Sequence, residues 1–266
     1  MKGWLGLGLT LAVVLAAALA PWLASHDPLT ADFSAFLKPP GTPGHPLGTD
    51  QLGRDLLARV LYGARLALFI GACTVVITAV VGGLLGLVAG FVERWPSTVL
   101  MRIADVQLSF PFILLALTIN AIVGLGLRNI IVSLSAAGWV VYARVVRGEV
   151  LTVKQREFVQ AAGALGMGRV RLLFRHVLPN VAPSIIVVAS LQFSQFIVAE
   201  AAISFLGFGV QPPTPAWGSM LSESRDVLYI AWWLAAFPGA ALALTALGVN
   251  LLGDWLRDTL DPRLRI

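Results

Sequence analysis

The chain is short of charge. Asp, Glu, Lys and Arg make up 12% of its 266 residues, about half of the roughly 25% found in soluble domains. An aqueous fold built from it would lack side chains to cover its surface. Cysteine is nearly absent: Cys73, inside an apolar run, is the single one, which excludes an intrachain disulfide and any thiolate cluster for a metal. Histidine is confined to His26, His45 and His176, all outside the apolar runs, so no histidine metal site is expected at membrane depth and each reads as a lone surface residue. Neither G-x-S-x-G nor H-E-x-x-H occurs, and no serine, histidine and acid are placed to meet in a membrane, which argues against a hydrolase. The phosphate-cradling G-x-x-x-x-G-K-[ST] is missing too, so any ATP must be handled by another chain.

What is plentiful is apolar surface: 58% of the residues are hydrophobic. The runs 4–24, 66–92, 99–123, 130–146, 181–205 and 231–252 approach the roughly 20 residues that cross a hydrocarbon core. They predict an all-α membrane protein with about six transmembrane helices. The first run resembles a signal peptide, with Ala18-Leu19-Ala20 as a cleavage site, but Pro21 disfavours cleavage and the run is longer than the usual hydrophobic region, so it reads as a retained span. Trp4, Trp22, Tyr62, Trp95, Tyr229, Trp232, Trp233 and Trp255 sit near the ends of runs, at headgroup level. Two segments follow: 1–62, the first helix and an extracytoplasmic linker, and 63–266, a core of five spans that includes a cytoplasmic loop over 148–180.

In the linker, Pro39-Pro40-Gly41-Thr42-Pro43-Gly44 predicts irregular chain. Thr49 and Asp50 can cap a helix, and Leu52, Leu56 and Leu57 give it an apolar stripe, so an interfacial helix is expected to lead into span two. The net charge of +5 lies in the gaps between runs, not on one solvated face, which points to topology and away from nucleic acid. With the first residue in the cytoplasm, 13 of the 19 Lys and Arg fall inside and 6 outside, so both termini are expected in the cytoplasm. No repeat or inverted pair of interrupted spans is visible.

The loop between spans four and five carries the strongest local signal. From Arg156 to Gly168 the sequence predicts an amphipathic helix ended by Gly166 in the left-handed conformation. A second short helix is expected from Val170, Leu172, Leu173, Phe174, Val177 and Leu178 among Arg169, Arg171 and Arg175, with Pro179 marking the start of span five. Ala161, Ala162 and Gly163 would let another surface approach the backbone, and Phe158 and Met167 can anchor in an apolar groove. An interfacial hairpin resting on lipid headgroups fits the same residues equally well.

Polar groups in the spans need partners or a wet cavity. Arg102 and Asp105 are spaced to pair on one helix face. Gln192 and Gln195 share a face of span five with Glu200 further outward, where they suit either substrate contact or bridging and local capping; Asn120 and Asn250 also lie in or near spans. Pro111 is expected to kink span three.

The loop resembles that of ABC importer permeases, whose pattern is Glu-Ala-Ala, three residues, Gly, nine residues, Ile, one residue, Leu-Pro. Gln160-Ala161-Ala162, Gly166 and Leu178-Pro179 keep the spacing, with Gln160 for the glutamate and His176 for the isoleucine. Three further stretches resemble the dipeptide/oligopeptide/nickel branch: Leu47-Gly48-Thr49-Asp50-Gln51-Leu52-Gly53-Arg54-Asp55; Ser204-Phe205-Leu206-Gly207-Phe208-Gly209 with Pro212-Pro213-Thr214-Pro215-Ala216-Trp217-Gly218; and Asn250-Leu251-Leu252-Gly253-Asp254 with Leu256-Arg257-Asp258 and Asp261-Pro262.

That resemblance implies a type I ABC importer permease-like fold with a cytoplasmic coupling helix between spans four and five, in a bacterial or archaeal inner membrane. It implies a non-catalytic subunit without a cofactor or metal of its own. Its partners would be a second permease subunit as a heterodimer, two cytoplasmic ATPases that use ATP and Mg, and an extracytoplasmic binding protein. Glu157, Phe158, Gln160, Ala161, Ala162, Gly166 and Met167 would form the coupling surface, and Gln192, Gln195 and Glu200 would line the pathway. The substrate class would be dipeptides or oligopeptides, with nickel or a nickel chelate as the alternative. An ATP-independent channel or secondary transporter is the rival from another class.

Overall fold

A computed structural model describes residues 2–92 and 95–260. Arg94, Arg263 and Arg265 of the charge count, and the Asp261-Pro262 pair, lie outside them. Among the described residues every regular element is a helix, and pairing is limited to isolated bridges between Thr42 and His45 and between Thr49 and Asp55. The helices are α1 (Lys2–Ala18), α2 (Ala20–Leu23), α3 (Leu56–Phe91), α4 (Trp95–Leu108), α5 (Phe112–Val123), α6 (Leu127–Val153), α7 (Glu157–Ala164), α8 (Arg169–Leu172), α9 (Leu178–Phe205), α10 (Trp217–Glu223) and α11 (Trp233–Leu260).

Four helices among the described residues are long and apolar enough to cross a bilayer, or five if the bent pair α4 and α5 is one crossing. The first apolar run forms the shorter α1, followed after Leu19 by α2. The expected kink at Pro111 is a full break: α4 and α5 meet at 95°. Proline has no amide hydrogen to donate, and it pushes the residue before it out of the helical region, so the chain leaves the helix at Ser109 and Phe110.

Small residues decide which helices touch. Gly82, Gly86 and Gly90 recur every fourth residue on α3, and α6 presses against that stripe. A Cβ on Gly86 would lie 2.6 Å from the Ala143 carbonyl oxygen, one on Gly90 2.6 Å from Val150 Cβ, and one on Gly82 would collide with the Trp139 carbonyl. Backbones packed this closely gain dispersion contacts that lipid cannot match. In the same way α1 runs antiparallel to α11, with Gly6 against Leu252 and Gly248 against Leu9. The two ends of the described chain therefore lie on the same side of the bundle.

Two expected helices are not separate elements. Thr49 and Asp50 do not start one: Thr49 Oγ1 accepts the Lys38 amide at 2.8 Å, and Asp50 Oδ1 accepts the Leu52 and Arg54 amides at 2.8 and 2.9 Å, which folds a tight turn. Asp55 caps α3 instead, accepting the Ala58 amide at 2.8 Å, so Leu56 and Leu57 open a 36-residue helix and no interfacial helix intervenes. Likewise α8 is not a free hairpin arm. A π-helical stretch, Leu173–Val177, carries it into α9, and residues 169–205 form one continuous 37-residue helix.

Two side-chain expectations are corrected by neighbours that the sequence does not reveal. Asp105 pairs with Arg144 of α6, not with Arg102 one turn away. His26 and His45 are not lone surface residues: their rings stack with centroids 4.7 Å apart, and His45 Nδ1 lies 3.0 Å from Asp55 Oδ1.

Candidate functional site

The loop side of the bundle is built on valines. Val153 ends α6, Val159 points down from α7, and Val177 and Val181 come from the start of the continuous helix. With Leu87, Val146 and Val150 they form one buried cluster across three long helices. Val159 is only 2% exposed, so the short α7 is pegged to the bundle by a single inward side chain. Lys154 adds a second tether, its Nζ donating to the Gly90 carbonyl at 3.2 Å. Sequence reading did not single out Val159, because one buried valine in an eight-residue helix carries no periodic signal.

The rest of α7 faces outward. Gly166 takes φ +86°, and the Met167 amide donates to the Ala162 carbonyl at 3.2 Å while that of Gly166 donates to Gly163 at 3.0 Å. These bonds close the helix end in the way a left-handed glycine allows. Glu157, Gln160 and Ala161 are exposed, Ala162 and Met167 half-buried. Gln160 Nε2 donates to the Gln155 carbonyl at 3.2 Å, so that amide is spent within the loop. A Cβ on Gly163, Gly166 or Gly168 would meet nothing within 4 Å, and the small-residue face is open. Phe158 is 43% exposed but leans toward His176, ring centroids 6.3 Å apart. The most fully uncovered apolar side chain here is Leu165, at 89% exposed, with Val170 and Phe174 also exposed nearby. Leu165 was missed because it reads as the last apolar position before a helix stop, where burial is as common as exposure.

The linker side is closed on itself. Trp217 Nε1 donates to the Val60 carbonyl at 3.0 Å and Trp233 Nε1 to that of Thr49 at 3.2 Å. Arg54 Nε binds Asp50 Oδ2 at 2.7 Å, Arg59 Nη2 binds Glu223 Oε2 at 3.1 Å, and Gln51 Nε2 donates to the Glu223 carbonyl at 3.0 Å. Two cations and two anions thus balance beside a cavity of about 300 Å³ bordered by Leu52, Pro212, Met220 and Leu234. The network joins two of the motif stretches, those around Thr49-Asp50 and Trp217-Gly218, which lie far apart in sequence.

The polar residues of the spans are mostly used internally. Glu200 is buried, its Oε1 accepting the Ser204 hydroxyl at 2.6 Å, and Ser204 Oγ in turn accepts the Val210 amide at 3.2 Å. Glu200 thereby organises the turn after α9. Asn120 donates to the Phe208 carbonyl and accepts the Ser133 hydroxyl. Gln192 and Gln195 do not share one environment: Gln192 is buried and Gln195 exposed.

Residues 82–266 match the family described as binding-protein-dependent transport system inner membrane component, and residues 3–40 match the N-terminal TM domain of oligopeptide transport permease C. The chain is 45% identical to the di/tripeptide transport system permease protein DppC of Pseudomonas aeruginosa, over 99% of this chain and 89% of that one. It is 42% identical to the glutathione transport system permease protein GsiD of Pectobacterium atrosepticum, over 95% and 85%. It is 41% identical to the probable D,D-dipeptide transport system permease protein DdpC of Escherichia coli, over 92% and 82%.

Proposed function

The chain belongs to the family of binding-protein-dependent transport system inner membrane components, and from that premise we propose that it forms one half of the translocation pathway of an ATP-driven peptide importer. A second, different permease subunit completes the pathway, two cytoplasmic ATPases bind ATP and Mg and drive it, and an extracytoplasmic protein delivers the substrate. The chain itself catalyses nothing. Both termini lie in the cytoplasm, together with α7.

The observation that carries the coupling role is the contrast within α7: pegged to three long helices by Val159, yet open along Ala161, Gly163 and Leu165. A contact made on that outer face reaches the bundle through Val159, the buried side chain of α7. Coupling between sites is bounded by the contact energy that differs between states. Phe158 and Met167 frame this surface and Leu165 is its most accessible anchor. Among the three pathway candidates, Gln195 has an exposed side chain in this conformation, so substrate contact is assigned to it first. Peptides are favoured over nickel because the relatives named above are peptide and glutathione permeases.

The test is reconstitution of the chain with its companion permease, ATPases and binding protein in lipid. ATP hydrolysis stimulated by peptide-loaded binding protein, and lost in Ala161→Trp with the complex still assembled, is the expected result. Stimulation by nickel but not by peptides would replace the substrate assignment. Peptide uptake by the chain without any ATPase would replace the mechanism with that of a secondary transporter.

A further inference from the structure

Three side chains far apart in sequence converge where the linker meets the first two long elements. His26 follows α2, His45 sits in a linker turn and Asp55 caps α3. Their ligating atoms all lie within 4.8 Å of one another. The 3.0 Å between His45 Nδ1 and Asp55 Oδ1 is close to the ~3.3 Å that separates two ligands each ~2.0 Å from one tetrahedral ion.

Two of the three are held in place. Asp55 Oδ2 accepts the Ala58 amide at 2.8 Å, which leaves Oδ1 turned to His45. The His45 backbone is fixed on both sides, its amide donating to Thr42 at 2.8 Å and its carbonyl accepting from Gly48 at 3.0 Å. The third, His26, is exposed and stacked on His45, so its imidazole can swing to complete a shell without disturbing packing. Two imidazole nitrogens and one carboxylate oxygen are the donors of a borderline divalent ion; calcium and magnesium prefer all-oxygen shells.

We propose that His26, His45 and Asp55 form a binding site for a divalent transition-metal ion of the zinc type, clipping the end of α2 and the linker turn to the start of α3. With three protein ligands the ion keeps at least one position for water. His45 must offer the Nδ1 lone pair to the ion instead of sharing a proton with Asp55. A neutral imidazole does this by carrying its proton on Nε2, a change of tautomer with no change of charge.

The full-length chain, purified without a polyhistidine tag and held in lipid nanodiscs, is titrated with Zn²⁺ by calorimetry. One ion per chain is expected. His26→Ala, which leaves the His45–Asp55 bond and the cap of α3 intact, should weaken binding by at least ~10-fold, the loss that even outer partners of a metal site can cause. His176→Ala should bind as the unmodified chain does. Co²⁺ should give visible absorption bands that disappear in His26→Ala. Unaltered Zn²⁺ affinity in His26→Ala, or no saturable binding in the unmodified chain, would overturn the proposal.

Discussion

At the linker end of the bundle, Trp217, Trp233, Arg54 and Arg59 are each held by a carbonyl or carboxylate of the same chain. At the loop end, α7 is pegged by Val159 and shows a bare surface with Leu165 almost wholly uncovered. The two ends use the same kinds of residue, arginines, small residues and large apolar side chains, to opposite effect. Where polar groups are satisfied internally a surface is finished. Where small and apolar groups stand open around one buried anchor, the surface suits the partner proposed above. Stability should be concentrated at the first end and function at the second.

The largest test of that contrast is Arg59→Ala. Arg59 is 1% exposed and faces both Asp50 and Glu223; removing it leaves two acids to share Arg54. A loss of about 3 kcal/mol is expected, read as a fall in the thermal unfolding midpoint of the chain in nanodiscs. Unaltered unfolding would erase the distinction between the ends. Next comes Leu165→Ala, which should leave unfolding within about 0.5 kcal/mol of the parent yet weaken ATPase-subunit binding by about 2 kcal/mol, as truncation of an interface anchor does. Quantitative pull-down against the ATPase pair decides it, and an unfolding defect would show that Leu165 belongs to the core. Trp217→Phe drops the bond to the Val60 carbonyl and leaves part of the buried indole's space empty, and should cost about 2 kcal/mol of stability with ATPase binding intact. The smallest effect is expected for Gln160→Ala. It deletes a bond inside an exposed loop and should alter unfolding by less than about 0.5 kcal/mol.

Much of this architecture was legible in the sequence because lipid permits few solutions. Apolar runs must become helices, and each of the six did, though 4–24 and 99–123 each became two. The stop at Gly166 was readable because only glycine enters the left-handed region without penalty. The four motif stretches identified the family. What stayed hidden was tertiary. Spacing within one helix suggested an Arg102–Asp105 pair, but the arginine that reaches Asp105 comes from α6, 39 residues away. Asp50 looked like a cap because aspartate suits both caps and tight turns, and the turn is accompanied by Arg54 and Arg59 side chains on its other oxygen. Val159 and Leu165 differ by six positions in one short segment, and nothing in composition says which is the peg and which is bare.

The continuous helix over residues 169–205 joins these two halves of the molecule mechanically. At ~1.5 Å per residue it is about 55 Å long, and it starts among the loop arginines and ends at the Glu200–Ser204 turn. Its softer features, the π stretch at Leu173–Val177 and Pro183, both lie near the loop end, where the ladder of backbone bonds is irregular. The remainder behaves as a stiff beam hinged at its foot. A tilt of about 5° at that foot would sweep the far tip through roughly 4 Å, so a small rotation at one membrane face becomes a displacement comparable to a side chain's width at the other.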